Sequence, residues 1–144
     1  MAIFNGTDLI LKVSPSDGGT DAKLMHSTSV SLDIAMDTID VSTKDSAGYN
    51  EIIGGQKSFS LSADGLMDFN PTDATATEVD ELTTQMLART AVTFTFTLAS
   101  TASGDYFYTG SGFITSIAIS GGVEDAPTYS CSIQGTAALT VTAV

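Results

Sequence analysis

Positively charged residues are scarce in this sequence. Lys and Arg together number 5 against 17 Asp and Glu, which gives a formal net charge of −12 over 144 residues. Gripping nucleic-acid phosphates requires clustered Lys and Arg, and so does attachment to anionic lipid surfaces. The composition therefore argues against a conventional nucleic-acid-binding protein and against a membrane-surface protein.

Histidine and cysteine are equally rare. His26 is the single histidine, Cys131 is the single cysteine, and tryptophan is absent. One histidine excludes a site built on two histidines, and one cysteine excludes an internal disulfide. Cys131 alternates with Tyr129 and Ile133 in a predicted strand, which indicates a buried thiol of low reactivity.

The carboxylates are numerous but spread along the chain. Asp64 with Asp68 is one candidate for an acid–base pair or a Ca²⁺ site. Glu124 with Asp125 is another, and neither pair has the EF-hand spacing. The Gly-Ser-Gly at 110–112 begins like a dinucleotide-binding fingerprint but lacks its third glycine. We therefore predict no enzyme, no cofactor and no metal site; a hydrolase with paired carboxylates is a distant alternative.

Long apolar runs are also missing. No run approaches the roughly eighteen residues that a membrane span needs. The first residues, MAIFNGTDLILKV, have neither the basic region nor the apolar region of a signal peptide. We expect no membrane partner.

Strands dominate what is present. The segment 92–98, VTFTFTL, places Val92, Phe94, Phe96 and Leu98 on one face and threonines on the other. Further alternating segments lie at 7–13, 28–34, 57–63, 106–119 and 128–134. A period of two, with one buried and one wetter face, is typical of antiparallel sheets. The predicted fold class is mainly β, an antiparallel β-sandwich or barrel.

One helix is expected at 76–89, ATEVDELTTQMLAR. Val79, Leu82 and Met86 form its apolar stripe, and Thr75 with Glu78 forms a capping box before it. This helix would flank the sheet. The chain shows no repeat and no linker, so residues 1–144 are interpreted as a single domain.

The segment 42–57 combines glycine, serine and charged residues with large apolar ones. Tyr49, Ile52 and Ile53 stand among them, and an isolated loop with these side chains would be an exposed apolar patch. Several strands also carry uncharged Ser and Thr on the polar face, without the Lys that discourages strand association. Together these features favour self-assembly.

Six motifs, taken in order, are similar to a known family. They are IDVSTKDSAGYNE (39–51), GQKS (55–58), SLSADGL (60–66), YTGSGFITS (108–116), APTYS (126–130) and QGT (134–136). The set resembles the major tail protein, or tail tube protein, of long-tailed bacteriophages and gene transfer agents, over roughly residues 24 to 140. Tyr49, where the family often has Trp, and Ala138, where Gly is common, depart from the pattern.

The resemblance implies a structural virion protein that is assembled in the host cytoplasm and located in the tail. Such subunits form hexameric rings that stack into a hollow tube for the tape measure protein and for DNA. Tail terminator and tip proteins would be further partners, and DNA would pass without specific binding. The loop at 42–57 would extend to neighbouring subunits. Its assembly residues would be Gly48, Tyr49, Ile52, Ile53, Gly54 and Gly55.

Two rival interpretations remain open. The same fold could serve as the inner tube of a contractile tail or of a secretion-like injection system. A β-sandwich binding or adhesin module is a second alternative, but it would need a platform of exposed aromatic residues, and the chain has no Trp.

The charge predicts an acidic channel. A ring of six copies would carry 6 × −12 = −72 formal charges, and a wall of carboxylates would repel DNA towards the axis. From the phase of their strands, Asp33 and Asp64 are the candidates that face the channel.

Overall fold

The computed structural model describes residues 3, 5–14, 22–24, 26–69, 76–99 and 102–144. Within these ranges the chain forms eight strands, one α-helix and two short 3-10 turns. The strands are β1 (Leu9–Ser14), β2 (Ala22–Leu24), β3 (Ser27–Asp40), β4 (Ile52–Leu66), β5 (Ala76–Thr77), β6 (Val92–Leu98), β7 (Tyr106–Ser120) and β8 (Thr128–Ala143). The helix α1 spans Val79–Leu87, and the turns span Gly6–Asp8 and Lys44–Ser46.

All eight strands belong to one sheet, in the order β3-β4-β8-β7-β6-β1-β2-β5. Neighbouring strands are antiparallel except for the parallel pair β2 and β5. β8 pairs with β4 only at residues 128–134, and β7 pairs with β6 only at residues 108–112. The sheet therefore has two halves, which the long strands β7 and β8 join.

The two halves fold over a shared core. Phe59 of β4 and Phe94 of β6 belong to different halves, yet their ring centroids are only 5.7 Å apart. Alternate residues are buried in β4 and β8, as a period of two requires, and α1 adds Val79 and Leu82. The other buried apolar side chains are Leu11, Val13, Leu24, Leu61, Ala63, Val92, Ile114, Tyr129, Cys131 and Ile133.

The mainly β fold with one flanking helix, predicted from the sequence, is confirmed. The sheet folds over like a sandwich and is not a closed barrel, because β3 and β5 are its two unpaired edges within the described ranges. The barrel alternative is therefore wrong.

The helix is shorter than the predicted segment 76–89. Ala76–Thr77 form β5 instead, because they pair with β2 and the Thr77 hydroxyl donates to the carbonyl of Val13 at 2.7 Å. The helix then begins after Glu78, whose amide donates to a carboxylate oxygen of Glu81 at 3.2 Å. It ends before Arg89, which has a left-handed backbone with φ of 56°. The expected capping residue Thr75 lies outside the described residues.

Gly135 of β8 lies against the Phe59 ring, and a methyl group there would overlap the ring. We expect Gly135→Ala to lower the free energy of unfolding by about 1–3 kcal/mol, because the closely packed core cannot take the added volume. Urea denaturation would measure this change. Gly6→Ala is the matched control, since nothing lies within 4 Å of a Cβ atom at that position.

Gly135→Ala should lower the free energy of unfolding by less in a Phe59→Leu background, because the smaller leucine side chain leaves space for the added methyl group. Equal stability of Gly135→Ala and the parent would contradict this arrangement of the core.

In the part of the chain that the structure describes, no helix is long and apolar enough to cross a membrane.

Candidate assembly surfaces

The hairpin of β3 and β4 extends beyond the rest of the sheet. The two strands pair from Ser27 to Asp40 of β3, whereas β4 pairs with β8 only at residues 60–66. Residues 34–58 therefore have no third strand beside them, and we call this part of the hairpin the arm. Ser46 is its one buried residue.

The arm exposes large apolar side chains. On β3, Val30 and Leu32 pack against the core, and Ile34 and Met36 continue the same face beyond it. Ile34 is 58% exposed and Met36 is 55% exposed. Within the described chain, no other element covers them. A face that is core at one end of β3 thus becomes an apolar surface at the other end.

Ile52 and Ile53 lie on the strand of the arm, not in a loop. Ile53 stands opposite Ile39, and Ile52 stands opposite Asp40. Because successive residues of a strand point to opposite faces, Ile52 and Ile53 expose apolar surface on both sides of the arm. The predicted extended loop 42–57 is therefore wrong in its second part, since residues 52–57 belong to β4 and the connection covers only 41–51.

Gly54 and Gly55 form an irregularity in β4. Met36 pairs with Lys57 and Thr38 pairs with Gly54, so β4 has one more residue than β3 between these two pairs. Such a bulge increases the local twist of a hairpin. A Cβ atom on Gly55 would stand 3.0 Å from the carbonyl oxygen of Asp37. These glycines therefore shape the arm.

The tip of the arm, residues 41–51, is held by its own hydrogen bonds. The Tyr49 amide donates to the Ser46 carbonyl at 2.9 Å, and Gly48 supplies a left-handed backbone with φ of 83°. Across the tip, the Glu51 amide donates to the Ser42 hydroxyl at 2.8 Å. Tyr49 is nevertheless 79% exposed. The tip thus presents an aromatic side chain on an ordered turn.

An ionised carboxylate contributes to this turn. The Ser42 amide donates to Oδ1 of Asp40 at 2.8 Å, and the hydroxyl and amide of Ser42 hold the pKa of Asp40 below its usual value. A lowered pKa means that the turn gains stability while Asp40 is ionised. That gain is lost as the pH falls through the lowered pKa.

The half of the sheet that carries the arm has two free edges. Its strand order is β3-β4-β8-β7. The outer edge of β3 has no partner strand in the described ranges, and neither does the edge of β7 at residues 113–120, because β6 pairs only with residues 108–112. Such edges present unpaired backbone N–H and C=O groups that can pair with another strand.

The outward face of this half carries mostly hydroxyl groups, and we call it the serine face. Ser31, Ser62, Ser132 and Ser116 stand opposite one another across the four strands. The hydroxyls of Ser31 and Ser62 are 2.5 Å apart. The remaining members of the face are Ser29, Asp33, Ser60, Asp64, Leu66, Phe113, Ala118, Ser120, Thr128, Ser130 and Gln134. Leu66 and Phe113 are its large apolar members, and each is 44% exposed. Asp33 and Asp64 are its charged members, so the structure brings these two predicted residues onto one face.

The residues that could carry chemistry do not converge. His26 and Asp68 approach to 3.8 Å, and both are exposed. Burial raises the pKa of the Cys131 thiol to about 11, so little of the reactive thiolate exists near neutral pH. Among the described residues, no group of three or more His, Cys, Asp or Glu could hold a metal ion.

The contribution of β3 to the arm was not predicted. The predicted strand ended at residue 34, whereas β3 continues to Asp40. The signal was present, since Ile34 and Met36 continue the alternation of Val30 and Leu32. Ile39 was not predicted as a strand residue either, because it also lies beyond the predicted end of the strand.

Three solved structures that share this fold are a gene transfer agent tail, the SPP1 tail tube and a baseplate. The tail of an empty gene transfer agent particle with C6 symmetry has a TM-score of 0.80 at 23% identity, covering 98% of this chain and 100% of that chain. The SPP1 tail tube has a TM-score of 0.73 at 13% identity, covering 99% of this chain and 80% of that one. A chain of the anti-feeding prophage baseplate, 6-fold symmetrised, has a TM-score of 0.65 at 8% identity, covering 100% of this chain and 97% of that chain. These identities are low, so the likeness shows a shared fold.

The sequence itself matches a family. No curated protein matches the chain, but the sequence model described as "Phage tail tube protein" matches residues 3–141. The match spans all the strands except the last residues of β8, and it includes the arm and the serine face. The chain belongs to the phage tail tube protein family.

Proposed function

We propose that this chain polymerises into stacked hexameric rings that form the hollow tube of a phage tail. Proteins of the family are structural components of the virion tail, and we assign no enzymatic role. Residues 1–144 act as a single tail-tube domain that assembles in the host cytoplasm. The tube is the conduit for the tape measure protein and for DNA, and terminator and tip proteins bind its ends.

The arm is the observation that carries this proposal. Its apolar side chains lie on both faces of a two-stranded hairpin, and the described chain covers neither face. Isolated two-stranded hairpins are marginally stable in water, so an arm of this length gains stability from a neighbouring subunit. We assign the contact to Tyr49, Ile52 and Ile53. Gly48, Gly54 and Gly55 give the arm its shape.

The free edges of the serine-face half provide the contact within a ring. The edge of β3 in one copy would pair with the edge of β7 at residues 113–120 in the next copy. Such pairing extends the four strands of each subunit into a continuous β-lined wall. The C6 symmetry of the gene transfer agent tail supports six copies. Sheets that end in solvent at every subunit boundary would contradict this arrangement.

In this arrangement we assign the serine face to the channel wall, because the other face of these strands packs against the core of the subunit. Its hydroxyl side chains bind phosphate only weakly, and Asp33 and Asp64 add negative charge. Carboxylates on the wall repel the DNA backbone over a distance of about 8 Å at physiological salt. DNA therefore passes without being held.

Microscopy of the purified protein tests the proposal. Negative staining should show long hollow tubes at high protein concentration, and a protein that stays monomeric under all conditions would refute it.

Charge reversal on the serine face tests the orientation of the channel. Parent tubes should not retain duplex DNA at about 0.1 M salt, whereas tubes of Asp33→Lys/Asp64→Lys should retain it, with a strong salt dependence. Co-sedimentation of short duplexes with tubes measures the difference.

The matched control is Asp8→Lys/Asp80→Lys, which makes the same charge change away from the serine face. Retention by the control equal to that of the serine-face variant would show that this face does not line the channel.

A second candidate is the inner tube of a contractile tail or injection system. The likeness to a chain of the anti-feeding prophage baseplate favours it. In that machine a sheath would cover the outer wall, so binding of tubes by a sheath protein encoded beside this one would decide between the two.

A further inference from the structure

Two of the five positive side chains stand next to each other. Lys12 of β1 and Lys23 of β2 are directly opposite residues of an antiparallel pair, so their side chains leave the sheet on the same face. No acidic side chain in the described ranges forms an ion pair with either of them. Like charges directly opposite in a sheet destabilise it. In a chain with a net charge of −12, this basic pair is an exception.

The basic pair and the tip of the arm belong to different halves of the folded sheet. β3 and β4 are the first strands in the sheet order, and β1 and β2 are near its other end. The tip exposes two acidic side chains, Asp45 and Glu51, and one basic side chain, Lys44. Neither carboxylate accepts a hydrogen bond in the described chain. The molecule thus presents the two carboxylates on a projecting hairpin and the two lysines on another pair of strands.

We propose that the Lys12–Lys23 pair is the surface on which a second copy of the chain seats the tip of its arm, through the carboxylates of Asp45 and Glu51. This inference rests on the proposed function, because it names the receiving surface of the subunit contact. Contacts that propagate around a ring or along a tube join two different patches of the subunit. The two patches must therefore be complementary, and these two have opposite charge.

The charges also make the contact selective. The partner's carboxylates relieve the repulsion between the two lysines, and complementary charges fix the register of the docking hairpin. The carboxylates of two tips repel each other, and so do two basic pairs. The arm is thereby directed to one surface of the neighbouring subunit.

A complementary pair of variants tests the inference. The first is Lys12→Glu/Lys23→Glu, which makes the receiving surface acidic, and the second is Asp45→Lys/Glu51→Lys, which makes the tip basic. Each alone places like charges at every contact, so each should need about tenfold more protein, or more, to form tubes than the parent. Circular dichroism would establish that both are folded. Lys23→Glu alone, at an exposed position, replaces the first variant if it does not fold.

When the two variants are mixed, the basic tip of one can bind the acidic surface of the other. The unchanged acidic tip and basic surface also meet wherever the two variants alternate. An equal mixture should therefore form tubes near the parent concentration, as seen by light scattering and negative staining. Arg89→Glu is the control for a charge change away from both patches and should assemble like the parent.

The outcomes separate the inference from the proposed function. If the parent forms tubes and the lysine variant assembles equally well, the basic pair is not the seat of the arm. If each variant is impaired but the mixture is not rescued, the pairing of these two patches is wrong. A parent that forms no tubes would overturn both the inference and the proposed function.

Discussion

Tubes should fail to form when Ile52 and Ile53 are both replaced by Asp, while the subunit itself remains folded. Both side chains lie on the arm, where β4 has no neighbour except β3, and both are about half exposed. The substitutions remove no core contact. They would place two charges in the interface between subunits, where loss of a central anchor costs about 2 kcal/mol or more per residue.

This cost recurs at every subunit of a polymer, so the effect on assembly should be complete at concentrations where the parent forms long tubes. Negative staining and sedimentation measure assembly, and thermal unfolding of the unassembled protein measures the fold. Leu87→Asp is the control, because Leu87 is 79% exposed at the end of α1 and lies off the arm. Tubes of normal length from the double variant, or a subunit that has itself unfolded, would show that the arm does not act as we propose.

Leu82→Ala should have the largest effect on the stability of the subunit. Leu82 is 1% exposed and packs in the core together with Val79. Truncating a buried leucine leaves a cavity, and such changes cost about 2–5 kcal/mol. We therefore expect a clear fall in the free energy of unfolding in urea.

Leu87→Ala provides the comparison, because the same chemical change is made on an exposed site of the same helix. Its cost should stay within about 0.5 kcal/mol. Equal stability of Leu82→Ala and the parent would mean that the helix does not cover the sheet.

The sequence alone was sufficient for the local periodicities. The alternation of Val92, Phe94 and Phe96 predicted β6 with the bounds that the structure has, and Val79 with Leu82 marked the buried side of the helix. Such patterns are local, because the alternation of side chains follows directly from the geometry of an extended strand. The short strands β2 and β5 were missed, since three residues and two residues are too few to show a period.

The tertiary structure decided where each element ends and what covers it. Ala76–Thr77 have neighbours that favour a helix, yet their pairing with β2 makes them a strand. Tertiary contacts override a weak local propensity of this kind.

The same distinction holds for the assembly surfaces. The sequence showed that Ile52 and Ile53 are apolar residues among polar ones, and that the chain is strongly acidic. It did not show that β3 and β4 continue past the end of the β8 pairing, or that Ile34 and Met36 join the exposed surface. It did not show that Lys12 stands opposite Lys23 either. A period of two tells which side chains share a face of their own strand, but strand order and register determine which strand lies beside it and where that neighbour stops.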